Sequence, residues 1–267
     1  MIDIKHFFGL TGDPFSQNIK LDDLYMLPGL TPLLERFEFA VKTGAVSLIT
    51  GEVGSGKSTS LRLACSRFHS SQYRIISLVA SPGSMLELLR QFLLDFGEDF
   101  RSFQSSLIIK KVRDIILDIS SRKQTPVLVI DEAHLLRKDV FDQLHTLCQF
   151  DFDSNPVMPI ILCGQDQLVD KLLTISAKPL ASRVVGRSHM DGLQLKDMKG
   201  YIDHHMSLVG VNKPIFADEA ILAIHQNSGG LLRRANIIAR GAMMAAAMEK
   251  SQMVSGEHIR LAGTEII

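Results

Sequence analysis

Apolar runs and amphipathic stretches alternate along most of the chain. AVSLIT (45–50), YRIISLVA (73–80), VLVID (127–131) and MPIILC (158–163) are short, rich in β-branched residues and bounded by polar or glycine positions, as buried strands are; SHMDGL (188–193) repeats the pattern weakly. Between them, SMLELLRQFLLDFG (84–97), SLIIKKVRDIILDISS (106–121) and DVFDQLHTLC (139–148) place apolar residues at helical spacing. Such alternation predicts an α/β fold with a parallel five-stranded sheet flanked by helices. After about residue 193 the strand pattern stops. LKDMKGYIDHHMSLVG, DEAILAIHQNSGG, GLLRRANIIARGAMMAAAMEK and GEHIRLAG read as three or four helices separated by glycine breaks. The expected layout is an α/β domain over 1–193 and a small all-α domain over 194–267, with no internal repeat or low-complexity linker.

Composition agrees with a folded chain and removes some functions. Of 267 residues 46% are hydrophobic, enough for a sizeable core, and the 29 Lys+Arg balance the 29 Asp+Glu. A zero net charge argues against a polyanion binder that works through overall basicity, leaving room only for a local patch. Cys65, Cys148 and Cys163 lie far apart in apolar surroundings without a C-x-x-C, which suits buried free thiols in a reducing compartment better than disulfides or zinc. Asp3, Lys5 and Asp13 interrupt the start, so it lacks a signal-peptide apolar core, and AMMAAAM is bracketed by Arg240 and Glu249, far short of the roughly 18 apolar residues of a span. The sequence therefore predicts a cytoplasmic protein with no membrane insertion.

The chemistry begins where the first predicted strand ends. Gly51-Glu52-Val53-Gly54-Ser55-Gly56-Lys57-Ser58 matches G-x-x-x-x-G-K-[ST], followed by Thr59 and a helical stretch. Glycines let successive backbone N–H groups turn towards phosphate oxygens at a helix N-terminus. Lys57 would reach the β- and γ-phosphates and the Ser58 hydroxyl would ligate Mg²⁺. VLVIDEAH (127–134) places Asp131 and Glu132 at the carboxyl end of a buried strand, where α/β sheets bind ligands. Asp131 would orient Mg²⁺, and Glu132 is the candidate base for the attacking water. The letters DEAH also invite a helicase reading, but that class needs two such cores, so the match is set aside as coincidence. Gln165 or Asp166, after MPIILCG, would hold the water or the γ-phosphate. Arg183 or Arg187 would enter a neighbouring subunit's site, with Arg183 preferred. SGGLLRRANII opens the longest tail helix with Arg233 and Arg234, of which Arg233 is preferred as the residue that folds back on the γ-phosphate.

In this order, GEVGSGKST, VIDEAH, a strand ending in GQ, an SR pair and GG-x-x-RR resemble an AAA+ ATPase, a P-loop NTPase with a C-terminal helical lid. The head, HFFGLTGDPFSQNIKLDDLYMLPGLTPLLERFEFAVKTGAVSLITGEVGSGKST, is similar to the start of the ExeA/GspA group of ATPases, and the resemblance covers essentially the whole chain. Ser58 replaces that group's usual threonine and Leu232 a common proline. The resemblance implies ATP and Mg²⁺ as ligands, ATP hydrolysis, and an ATP-dependent homo-oligomer, ring or filament. It also divides. Secretion members of the ExeA type carry a membrane segment and a periplasmic region after the ATPase; stand-alone members of similar length resemble the TnsC/TniB type, which assemble on duplex DNA and recruit or activate a transposase.

Because the chain stops soon after the predicted lid, the second type is expected: a DNA-associated regulator of transposition with a transposase as partner. The alternative is a secretion-assembly ATPase acting through a separate membrane protein. Lys110, Lys111 and Arg113, with Arg101 and the Arg122-Lys123 pair, form the densest basic stretch and would meet DNA phosphates without reading bases. An ATP-gated scaffold without turnover is a third reading, and a small-molecule kinase is the least favoured.

Overall fold

The computed structural model describes residues 3–98, 104–151, 154 and 156–264. In chain order its helices are α1 (Ile4–Phe8), α2 (Leu30–Thr43), α3 (Lys57–Ser66), α4 (Met85–Asp95), α5 (Ser105–Ser121), α6 (Lys138–Leu144), α7 (Gln167–Leu172), α8 (Lys178–Ala181), α9 (Leu195–Leu208), α10 (Asp218–Ser228), α11 (Leu232–Met248) and α12 (Gly256–Thr264). The strands are β1 (Val46–Gly51), β2 (Tyr73–Val79), β3 (Thr125–Asp131), β4 (Ile160–Gly164) and β5 (Val184–Met190). They divide into two compact units: a sheet unit of Gly29–Gly51 and Lys57–Met190, and a helical unit that takes in the chain up to Pro28, Glu52–Gly56 and the residues from Asp191 onward.

In the sheet unit all five strands run parallel in the order β2-β3-β4-β1-β5. Val127, Leu128, Val129 and Ile130 of β3 and every residue of β4 are buried, as a strand covered on both faces requires. The register sets Ile130 level with Leu162, and Leu162 level with Leu48, so the carboxyl ends of β3, β4 and β1 come out side by side. Local chemistry delimits the flanking helices. Ser84 caps α4 with a reciprocal Ser84–Glu87 box, a feature worth about 1 kcal/mol. Gly44 closes α2 at φ 69, and a Cβ there would lie 2.4 Å from the Pro156 carbonyl oxygen.

Two expected elements move. The fifth strand is Val184–Met190 rather than 188–193. As an edge strand it buries only alternate residues from Gly186 onward, so no continuous apolar run marks it. The helix expected over 139–148 is α6, which ends at Leu144 and continues as a 3₁₀ turn, His145–Leu147.

The helical unit has its own core. Met198, Ile202, Ile224, Ile238, Met243 and Ile259 from α9–α12 form one cluster that also contains Phe8, Leu10 and Phe15 of the head. Arg240 donates to the Phe15 carbonyl at 2.7 Å, and the Phe15 ring stacks on His205. Between α10 and α11, Gly230 (φ 77) lies so close to Leu193 that a Cβ would come 2.2 Å from its carbonyl oxygen; Leu193 N–H donates to Gly230 at 2.9 Å.

Candidate nucleotide site

The turn after β1 has the backbone that a phosphate cradle needs. Gly54 and Gly56 stand at φ 84 and 98, Ser55 N–H donates to Glu52 at 3.2 Å, and α3 starts at Lys57. Lys57 is buried, while Ser58 and Thr59 are exposed on the first turn of α3. The Ser55 hydroxyl is buried without a hydrogen-bond partner, an acceptor or donor left over in the middle of the loop. The residues present therefore fit a bound polyphosphate. Arg233 meets the same loop: its backbone N–H donates to the Gly54 carbonyl at 3.1 Å. A Cβ on Gly54 would stand 2.9 Å from that of Arg233. The side chains of Arg233 and Arg234 are both exposed.

The acids lie at the end of β3. Glu132 N–H donates to Asp131 Oδ1 at 2.8 Å, and Glu132 itself adopts the left-handed region at φ 53, turning the chain sharply off the strand. Cys163, one place before the end of β4, registers what surrounds it. Burial raises its thiol pKa most, then the charge of Asp131 and a hydrogen bond to it, and Glu132 adds to the rise; Lys57 acts in the opposite sense. The register of β1, β3 and β4 brings out the acids at the end of β3 on the same edge of the sheet as the turn that leads from β1 to Lys57. Gln165 follows at the end of β4, half-buried. Asp166 instead pairs with His189 at 3.2 Å, and His189 Nδ1 lies 3.0 Å from the Thr50 hydroxyl. Among the described residues no cluster of three or more His, Cys, Asp or Glu is placed to hold a metal by itself.

The other predicted residues lie elsewhere. Arg183 precedes β5, and its carbonyl accepts from Val46 N–H at 3.0 Å; its guanidinium donates to the Pro179 carbonyl. It therefore stands at the amino end of the strands, opposite the phosphate loop. Arg187 is exposed on β5, level with Leu48. The basic stretch is not one cationic face. Arg113 turns inward, donating to the Thr146 and Gln149 carbonyls at 3.2 and 2.9 Å and covering the Phe150 ring at 4.5 Å. Lys111 pairs with Glu98 at 2.9 Å and Arg122 with Asp118 at 2.8 Å, while Lys110 is exposed; Arg101 lies outside the described residues. All three cysteines are free, with Cys65 half-buried rather than buried. No local pattern marks His134, whose Nδ1 lies 3.3 Å from Glu132 Oε2, or Lys171, which donates to the carbonyls of His134 and Leu136.

Comparison with known proteins bears on the fold. Residues 41–172 match the family described as AAA domain. A glycine-rich phosphate loop on β1, acids on β3 and a helical region after the parallel sheet give the chain the P-loop NTPase AAA fold. Over 97% of its length the chain is 28% identical to General secretion pathway protein A of Aeromonas hydrophila, and it spans about half of that relative (48%). In fold it is similar to Cdc6p from Pyrobaculum aerophilum (TM-score 0.75, 14% identity, 100% of this chain and 72% of that one). The ORC1 protein of Aeropyrum pernix in complex with DNA gives a TM-score of 0.67 at 14% identity over 91% and 66%. The RuvB Holliday junction branch migration motor of Thermotoga maritima gives 0.56 at 20% over 88% and 68%. No helix among the described residues is long and apolar enough to cross a membrane.

Proposed function

We propose that the protein binds Mg·ATP and hydrolyses it, passing the resulting change of assembly to a protein partner. The observation that carries this reading is the side-by-side ending of β1 and β3 next to β4, with the phosphate loop running from β1 into α3 at Lys57 and the acids Asp131 and Glu132 at the end of β3. The backbone of Gly51–Thr59 would hold the phosphates and Lys57 the β- and γ-groups, with Ser58 and Asp131 as the Mg²⁺ ligands. Bound Mg²⁺ would supply charge neutralisation on the phosphates. Glu132 would take the proton of the attacking water, Gln165 would position it, and Arg233 would report the γ-phosphate. Arg183 serves this scheme only from a neighbouring subunit of a homo-oligomer, because in its own chain it lies at the far end of the strands.

The relative that matches nearly the whole chain is a secretion-pathway protein. This favours the secretion-assembly role, with a membrane protein as partner, over the transposition role with duplex DNA and a transposase. The fold neighbours, one of them in complex with DNA and another a Holliday junction branch migration motor, share too little sequence to move that balance. Arg113 and Lys111, moreover, are engaged within the chain.

Steady-state ATP hydrolysis, measured against protein concentration with and without duplex DNA, tests both levels. Glu132→Gln should lower turnover by about 100-fold or more while ATP still binds. Turnover that survives this change refutes the hydrolysis scheme. A wild-type rate indifferent to DNA supports the secretion reading, whereas steep, salt-sensitive stimulation by DNA returns the transposition reading to first place.

A further inference from the structure

Asp166 and His189 have no part in the scheme above, yet one imidazole gathers three strand ends. The register sets Gly164 of β4, Thr50 of β1 and His189 of β5 level with one another. His189 Nδ1 lies 3.0 Å from the hydroxyl of Thr50, a buried residue, and 3.2 Å from Asp166 Oδ1. An ionised carboxylate only accepts, so with Asp166 at this distance the proton belongs on Nδ1 and the ring is held as a donor. Thr50 is the last residue before Gly51, where the phosphate loop opens, and Asp166 is the residue after Gln165. The ring therefore touches both segments on which a γ-phosphate would act.

Each neighbour of this ring is tied to a larger piece. The carbonyls of Gln165 and Asp166 accept from Leu168 and Val169 N–H at 2.9 Å, so the two residues move with the first turn of α7. On the other side, Met190 follows His189, and the helical unit begins at Asp191. Its first residues are stitched to the turn before α11. Leu193 N–H donates to the Gly230 carbonyl at 2.9 Å, the Leu193 carbonyl accepts from His225 Nε2 at 3.0 Å, and a Cβ on Gly192 would come 2.5 Å from the Gly229 carbonyl oxygen. That turn opens the helix that carries Arg233. Only Met190, Asp191 and Gly192 stand between His189 and Leu193, a tether with little slack. The ion pair itself adds little stability, because Asp166 and His189 are 56% and 36% exposed; its placement is what sets it apart.

We propose that the Asp166–His189–Thr50 junction carries the state of the γ-phosphate from the end of β4 to the turn that opens α11, with His189 as the positioning residue. A γ-phosphate drawn to Gln165 shifts Asp166 with it, Asp166 takes the imidazole along, and the tether moves the turn that brings Arg233 to the phosphate. ADP leaves Gln165 unengaged and exerts no such pull. This inference rests on the reading that Gln165 stands at the γ-phosphate and Arg233 reports it.

The test measures affinity for a non-hydrolysable ATP analogue and for ADP, both with Mg²⁺, and takes their ratio. The proteins are wild type, Asp166→Ala, His189→Leu, His189→Asn, Gln165→Ala, Arg233→Ala and the double variant of His189→Leu with Arg233→Ala. Asp166→Ala and His189→Leu should each lower the preference for the analogue by about 10-fold, a usual size for coupling between sites, and leave ADP affinity within about 2-fold. His189→Asn, whose amide nitrogen takes the place of Nδ1, should keep the ratio within about 3-fold of wild type. With Arg233→Ala already present, His189→Leu should lower the ratio no further, since the junction acts through that arginine. The unliganded thermal midpoint should move by no more than about 3 °C, because the pair is exposed. A wild-type ratio in Asp166→Ala and His189→Leu, with Gln165→Ala impaired, overturns the junction's role alone. A wild-type ratio in Gln165→Ala removes the input, and the reading beneath this inference goes with it. Equal losses of analogue and ADP affinity would show that the junction only shapes the phosphate loop, and additive losses with Arg233→Ala that it does not act through α11; either result overturns it. Should His189→Leu fail to fold, Asp166→Ala, alone and with Arg233→Ala, decides in its place.

Discussion

Gly54 carries two constraints at once. Its φ of 84 lies in the region where a Cβ costs about 1–2 kcal/mol, and the position of that Cβ is already within 2.9 Å of Arg233. The backbone bond from Arg233 to the Gly54 carbonyl holds the start of α11 to the same turn. Gly54→Ala should therefore lower affinity for a fluorescent ATP analogue by about 10-fold or more, since strain and the displaced helix start both act on the loop. An unchanged titration curve would show that the loop accommodates a side chain and that the approach of Arg233 is incidental. At this scale the motif residues were legible because eight consecutive positions carry the pattern. His189 was not, because its meaning depends on Asp166 and on Thr50, which lies 139 positions earlier in the chain.

The head and the tail helices show how elements are held and what that costs in acid. Phe15 and Tyr201 pack on the His205 ring of α9, while the neighbouring His204 donates through Nε2–H to the Asp23 carbonyl at 2.7 Å. Burial, and secondarily His204, lower the His205 pKa from 6.5 to about 4. The folded state thus refuses a proton that the unfolded chain accepts. Full stability is present above the unfolded pKa of 6.5 and is lost as pH falls towards 4. The total is on the order of 3 kcal/mol, at about 1.4 per unit. Urea melts at pH 7 and pH 5 should differ less in His205→Phe than in wild type; equal acid losses in the two proteins would place the sensitive group elsewhere. The edge strand β5 teaches a related lesson. Its alternating burial hides it from a search for apolar runs, whereas β3 and β4, covered on both faces, stand out in the sequence.

At the scale of the molecule, the sheet decides what Arg183 can do. Parallel pairing sets Val184 against Val46, and the phosphate loop leaves β1 only after Gly51. Those strand steps amount to about 16 Å, more than an arginine side chain spans. An active Arg183 must act in another subunit. Arg183→Ala should then bind the ATP analogue normally and fail to hydrolyse ATP, and mixing it with Lys57→Ala should recover part of the activity. In a mixed pair, one subunit supplies the nucleotide site and the other the arginine. Mixtures that stay inactive at every ratio would rule out the trans role.

The amino-acid sequence by itself determined the strand and helix alternation, the phosphate loop and the acidic pair, because each is written in contiguous residues whose spacing obeys a local period or a local turn. Tertiary structure alone decided the rest. It placed Phe8, Leu10 and Phe15 in the helical core, engaged Arg113 with the carbonyls of Thr146 and Gln149, and started the fifth strand four residues nearer the amino end. It also set a histidine of β5 against Thr50 and Asp166, at the ends of β1 and β4. These outcomes depend on which side chains, distant along the chain, compete for the same buried space and the same carbonyls, and no local pattern records that competition.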